Sequence, residues 1–436
     1  MTIATDSVSV TSSSAKGSAT AALMNVLKGN IGTGILSMPI AFRNAGIMAA
    51  IFTLPPIGLI CIHAMFLLVN ANRKLMEKLK VSELSYEETA AKAFENGPPQ
   101  LRPYAGLITK LVSTFLVITQ FGITVAYILF VVESFRKVLS NYAENAEKFG
   151  IEVYIMACYP LMLALNCIKT LKYLAIASAI ANLLQGIGLL VVLANLIQDL
   201  PPITTVKYTN WESFPLFCGT AFFSFEGISI ILPIKDSMKR ADKFGGPCGV
   251  LSIGMQIVTV LYCIIGFFGY LKFGENIAST VTNNLPSKVI YDIVRLMFAV
   301  SVFLSYPLQM FVPINILWPT FQSKLPLKWQ KMEIFNVIYR GSLVMFSFLV
   351  ASFVPHLDLV ISLVGAFCSS SIAVLFPPVI HYAAFWEHRE SYSKLKWNYI
   401  KVKAVLIFIF GAIGFFLGTY TSVLAIWNAP SESDKH

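Results

Sequence analysis

The sequence predicts an all-α polytopic membrane protein with eleven transmembrane helices. Ten of them form two inverted five-helix repeats, and the last is an addition. Three observations carry this prediction. Of the 436 residues, 56% are hydrophobic and only 13% are charged, whereas a soluble domain carries about 25% charged residues. So few charges cannot cover a water-facing surface of this size, which excludes a soluble enzyme, a disordered chain and a collagen-like fibre. Eleven apolar stretches approach the length of about 20 residues that crosses a bilayer. Two of these stretches, five helices apart, are interrupted by Gly and Pro, the pattern of an inverted-repeat transporter with a site at the membrane midplane.

In chain order, residues 1–20 are polar and rich in Ser and Thr. They lack the basic start and apolar core of a cleaved signal peptide and are expected to form a disordered cytoplasmic tail. The first repeat is expected over 21–198, with spans at about 21–46, 47–71, 107–135, 152–168 and 173–198. The second is expected over 199–382, with spans at 212–234, 249–271, 289–317, 334–354 and 357–382. A cytoplasmic loop and the eleventh helix (402–427) fill 383–427, and 428–436 form an outer tail. Within these spans, Ser305-Tyr306-Pro307 is expected to break the eighth helix, because Pro removes a backbone donor. Asp292 and Arg295 have the spacing of an i,i+3 ion pair. Arg340 lies within snorkelling reach of the inner surface.

The net charge of +10 is a topology signal. With a cytoplasmic N-terminus, most Lys and Arg fall on the inner side, in clusters at 73–80, 235–243 and 389–403, as the positive-inside rule requires. Trp211 and Trp427 then fall near the outer boundary, and Trp318, Trp386 and Trp397 near the inner one. No clustered basic face points to nucleic acid. Six of the seven cysteines lie in apolar stretches and no CxxC occurs, so they read as small buried hydrophobes. No metal-ligand spacing, GxSxG, HExxH or Walker A sequence is present; no metal, cofactor or enzymatic chemistry is expected.

The first span reads Lys28-Gly-Asn-Ile-Gly-Thr-Gly-Ile-Leu-Ser-Met-Pro39, and the sixth contains Gly219-Thr-Ala-Phe-Phe-Ser-Phe-Glu226-Gly227 and ends at Pro233. A lipid-facing helix has no use for residues that weaken it this much. Unwound backbone is tolerated at membrane depth only where it lines a cavity. Half-helix N-termini suit a carboxylate, and freed carbonyls suit an ammonium or a metal cation, so a zwitterionic amino acid matches both. Glu226 sits in an apolar run, where an ionised carboxylate is expensive and a functional role is the default. His63 titrates near neutrality in water. Both are candidates for carrying a proton.

LKGNIGTGILSMPIAFRNAG (27–46) resembles the first helix of the proton-coupled amino acid transporters, a branch of the amino acid/auxin permease family. GTAFFSFEGISIILPIKDSMK (219–239) resembles that branch's sixth helix, and IHAMFLLV (62–69) and FLVITQFGITVAYILFVVES (115–134) its second and third. The similarity runs over about 21–427. It implies an eleven-helix variant of the bacterial leucine transporter fold, and symport of small neutral amino acids with protons at the plasma membrane, or in lysosomes or endosomes. Carried over by position, Gly29, Asn30, Ile31, Gly32, Thr33 and Gly34 would hold the substrate carboxylate. Thr220, Phe223, Ser224, Phe225, Glu226 and Gly227 would face its amine and side chain. Tyr127 would reach toward the carboxylate, and His63 takes the place of the branch's proton-linked histidine. The outer-loop disulfide of that branch has no cysteines to form it near 136–151 and 272–288. Sodium coupling, and an amino acid sensor with little flux, are the alternatives.

Overall fold

The computed structural model describes residues 18–143, 149–167, 171–246, 248–324, 326, 332–354 and 356–429, with the side chains of 171–176 excepted. Among them, every extended regular element is helical, as predicted. Most of the expected N-terminal tail (1–17) and of the outer tail (430–436) lie outside the described residues.

Ser18 caps α1 (Ala19–Asn30) by accepting from the Ala21 amide at 3.2 Å. The first expected span then splits, because α2 (Thr33–Leu36) follows only after extended backbone at Ile31 and Gly32, and α3 (Met38–Ala45) starts at the next turn. Gly46, at φ +84°, reverses the chain into α4 (Ile47–Leu79). An added Cβ there would lie 2.5 Å from the Thr209 Cα, so both the angle and the close approach require glycine. A Ser85–Glu88 capping box starts α5 (Tyr86–Glu95). Next come α6 (Ala105–Ser140), α7 (Ile151–Asn166) and α8 (Leu171–Leu196). The sixth span is two half-helices, α9 (Phe214–Ser224) and α10 (Ile228–Asp236). The chain continues through α11 (Val250–Phe273), α12 (Val289–Gln322), α13 (Glu333–Phe353) and α14 (Leu357–Val364). Two π-helical stretches, Gly365–Ser369 and Ser371–Leu375, lead from α14 into α15 (Phe376–Phe385). Ser393 caps α16 (Lys394–Trp427).

Among the described residues, 9 helical segments are long and apolar enough to cross a membrane. The expected fourth span appears as a shorter apolar helix of 16 residues, and the eleventh begins earlier than expected, at Lys394. Two further expectations are corrected. The eighth span does not break at Ser305-Tyr306-Pro307: α12 runs through its three prolines. The Ser305 hydroxyl donates to the Ser301 carbonyl of its own helix at 2.9 Å, and membrane helices tolerate internal Pro where neighbours satisfy the freed backbone. Arg340 does not snorkel to the surface. It is buried, donating to the Asn336 side chain at 2.8 Å and to the Asn166 carbonyl at 3.2 Å.

The helices pack in two groups. In one, α12 lies along α6 and α8, and α13 against α6 and α7. In the other, α11 packs on α1, α3 and α4, while α9 packs on α3, α14 and α16. Small residues let backbones touch where the second group crosses. An added Cβ on Gly365 would lie 1.8 Å from the Gly219 carbonyl oxygen, and one on Gly219 would lie 2.3 Å from the Ser362 carbonyl oxygen. Outward side chains such as Phe52, Leu190 and Phe416 are apolar and exposed, as lipid-facing positions are.

Candidate functional site

The two breaks face each other. A cavity of about 40 Å³ between them is lined by Gly29, Asn30, Gly32, Thr33 and Gly34 from the first break and by Phe223, Ser224 and Glu226 from the second. Ile123 and Tyr127 of α6 and Gln309 of α12 close it. That volume holds roughly three water-sized spheres. The approach is close enough that an added Cβ on Gly34 would lie 2.5 Å from the Ser224 hydroxyl oxygen and 2.9 Å from its Cα.

The polar atoms around the cavity are unevenly satisfied. Asn30 is 6% exposed and Thr33 1% exposed, yet the Asn30 Oδ1 and the Thr33 hydroxyl have no hydrogen-bond partner. Buried polar groups ordinarily find one, so these two are free for a ligand. Glu226 is buried just ahead of α10, and its Oε1 accepts from the Ser229 hydroxyl at 3.3 Å. A carboxyl at this end of a helix faces the positive end of its dipole. The Gln309 amide donates to the Tyr127 hydroxyl at 3.3 Å, tying α12 to α6 across the cavity. At the first break the Thr33 hydroxyl can donate or accept, whereas the Asn30 Oδ1 can only accept, because the Asn30 Nδ2 already donates to the Val26 carbonyl at 2.9 Å; the second break adds the Glu226 carboxyl.

The remaining expected residues lie elsewhere. Thr220 donates to the Leu216 carbonyl of its own helix at 3.1 Å. Phe225 points away from the cavity toward α4 and α11, where an added Cβ on Gly58 would meet its ring at 2.9 Å. Gly227 lies against the Asn30 amide, and Ile31 is partly buried against the core without lining the cavity. His63 lines a second cavity of about 710 Å³, which also takes in Phe66, Arg73, Met76, Lys235, Asp236 and the 238–246 segment. The His63 Nε2 is buried without a partner. On the wall of this second cavity Lys235, 4% exposed, pairs with Asp236 at 3.0 Å and donates to Asn72. Asn72 in turn donates to the Leu84 carbonyl at 2.9 Å and to Thr89 at 2.8 Å.

Sequence reasoning missed Gln309 and Ile123. Gln309 carries a usable signal, an amide two residues after Pro307 in an apolar helix; Ile123 carries none. The cysteines described in the structure are all free, and no group of His, Cys, Asp and Glu able to hold a metal ion occurs among the described residues.

The opposite face of the bundle is closed by polar contacts. The expected Asp292–Arg295 pair forms and is buried. Arg295 also donates to the Thr282 carbonyl at 2.9 Å and to the Leu285 carbonyl. Asn141 and Tyr142 donate to Asp292 at 2.8 and 3.0 Å, and the Asp292 carboxylate holds the Tyr142 hydroxyl above the usual phenol range. Glu133 accepts from Ser279 at 2.6 Å and Asn283 at 3.1 Å, and Arg43 donates to the Ile277 carbonyl at 3.4 Å.

The family described as transmembrane amino acid transporter protein matches residues 15–424. The chain is 32% identical over 414 residues to the Drosophila melanogaster proton-coupled amino acid transporter-like protein pathetic, covering 95% of this chain and 86% of that one. It is 28% identical over 421 residues to amino acid transporter AVT3C of Arabidopsis thaliana, covering 93% and 90% respectively. Among solved structures, a manganese transporter from Eremococcus coleocola is similar in fold, with a TM-score of 0.50 at 13% identity over 96% of this chain and 89% of that one.

Proposed function

The chain belongs to the transmembrane amino acid transporter family, and from that premise we propose that it is a proton-driven symporter of small neutral amino acids. The observation that supports this reading is the cavity at the two breaks, where unpaired Asn30 and Thr33 atoms face the Glu226 carboxyl. The substrate carboxylate binds the first break, with Tyr127 held beside it by Gln309, and the substrate ammonium binds toward Glu226. The tight approach of Gly34 to Ser224 limits the side chain to a few atoms. Glu226 carries the coupled proton, because a neutral carboxyl is the form that an apolar surrounding favours in the absence of a cation. His63 loads or releases that proton through the larger cavity. The face bearing Ala19 and the larger cavity is cytoplasmic, since it carries the basic clusters. The fold completes eleven helices when α1–α3 together and α7 each count as a span.

Uptake of radiolabelled Gly, Ala or Pro into proteoliposomes tests the reading. It is expected to rise with an outside pH of about 5.5 against a neutral interior and to be unchanged when choline replaces sodium. Absence of uptake for every amino acid under a proton gradient would sink it, and binding without flux would favour a sensor. Glu226→Gln is expected to remove the pH dependence; a variant that transports with the wild-type pH profile would rule Glu226 out as the proton carrier.

A further inference from the structure

The two breaks leave two backbone carbonyls without their helical partners. In a continuous helix the Asn30 carbonyl would accept from the Gly34 amide and the Ser224 carbonyl from that of Ile228, but the chain leaves the helix between each pair. A freed carbonyl at membrane depth needs a partner. In broken-helix transporters a bound metal cation can serve. Here both carbonyls meet one side chain. The hydroxyl of Tyr262, from the middle of α11, lies 2.6 Å from the Ser224 carbonyl oxygen and within hydrogen-bond distance of the Asn30 carbonyl oxygen. Tyr262 is fully buried, and its ring packs on Phe225 with centroids 5.2 Å apart. Phe225 is thereby turned away from the cavity and toward the latch.

We propose that Tyr262 is a positioning residue that latches the two helix breaks to each other across the substrate cavity. The inference rests on reading those breaks as the substrate site. A phenol has one proton to donate, so the hydroxyl shares it between two acceptors and holds both half-helices in register with α11. The point where the two carbonyls converge is filled by a protein hydroxyl and is closed to a metal cation. A substrate that bridges the breaks then finds its two halves already at the right separation. Loss of the hydroxyl leaves the substrate to impose that separation itself, which weakens binding more than it slows turnover.

The test uses the full-length protein in proteoliposomes, with Tyr262→Phe. KM is expected to rise about tenfold, equivalent to about 1.4 kcal/mol, with Vmax within about threefold of wild type. A merely structural role would lower Vmax through the loss of active molecules and leave KM alone, and that result overturns the proposal. Should Tyr262→Phe fail to fold, Phe225→Leu keeps the hydroxyl but loosens its ring and is expected to raise KM about threefold; an unchanged KM overturns the latch. Hydrogen exchange of the amides at 29–34 and 224–228 is read without substrate. It is expected to quicken about tenfold in Tyr262→Phe, and equal exchange overturns the latch. If the wild type takes up no amino acid, the transport reading fails while the exchange comparison still decides the latch.

Discussion

On the face of the bundle that carries residues 274–285, arginine and carboxylate side chains capture backbone carbonyls and loop amides, whereas on the face that carries residues 236–246 the helices stand apart around a cavity of about 710 Å³. The first face is tied by groups that are costly to unpair: Arg295 is fully buried and donates to the Thr282 and Leu285 carbonyls and to Asp292. The second face has a polar wall at Lys235, Asp236 and Asn72 but open volume beside it. Transport requires that one side of a central cavity close while the other opens. In this conformation the closed side is held by directional bonds to backbone, and the other has room for α10 to shift. The comparison teaches that these two ends are built for different tasks.

Four substitutions can break or sharpen that contrast. The largest effect is expected from Arg295→Met, which leaves Asp292 buried without its cation and should cost about 3–5 kcal/mol, read as a lower midpoint of thermal unfolding in detergent. A midpoint near wild type would show that the closed face does not depend on this pair. Gly34→Ala places a Cβ against the Ser224 backbone and should cost about 1–3 kcal/mol, seen as reduced uptake from normally expressed protein. Gln309→Ala frees the Tyr127 hydroxyl and should cost about 1 kcal/mol, read as a several-fold rise in substrate KM at constant Vmax. The smallest effect is expected from Arg73→Gln, at the larger cavity, where its partner Glu77 is exposed and 3.9 Å away; stability should stay within about 0.5 kcal/mol. A pH series adds to these. The Tyr142 proton is retained more tightly in the folded state, so the bond to Asp292 contributes fully below pH about 10 and is lost as pH rises through the raised value. Tyr142→Phe should erase that alkaline loss.

Much of the architecture is legible along the chain because its causes are local. Gly29, Gly32 and Gly34 weaken one helix and Gly227 another, and both breaks occur there. Asp292 and Arg295 meet because helix geometry puts i and i+3 on one face. What escapes is decided between helices. Tyr262 reads as one more aromatic in an apolar run, and only the rotation of α11 brings its hydroxyl between two carbonyls. His63 and Tyr127 are equally plausible cavity residues by sequence, yet the packing of α4 turns His63 into the larger cavity while Tyr127 enters the smaller one. Arg340 lies near a helix end but finds the Asn166 carbonyl on α7, a partner that hydropathy does not reveal. Pro307 leaves α12 whole, because the helices packed on it hold its course.

The contact of Gly219 with Gly365 and Ser362 has a mechanical consequence. Two backbones that touch with no side chain between them leave no room for a side chain or for closer approach. The first half of the broken sixth span thus lies directly against the tenth, and α16 packs along it as well. The second half, α10, is held instead by side chains, through the bond of Lys235 to Asn72 of α4, and ends beside the larger cavity. Glu226 and Asp236 stand at the two ends of α10, so a tilt of that half-helix about the break would displace the Asp236 end most and would first have to part Lys235 from Asn72.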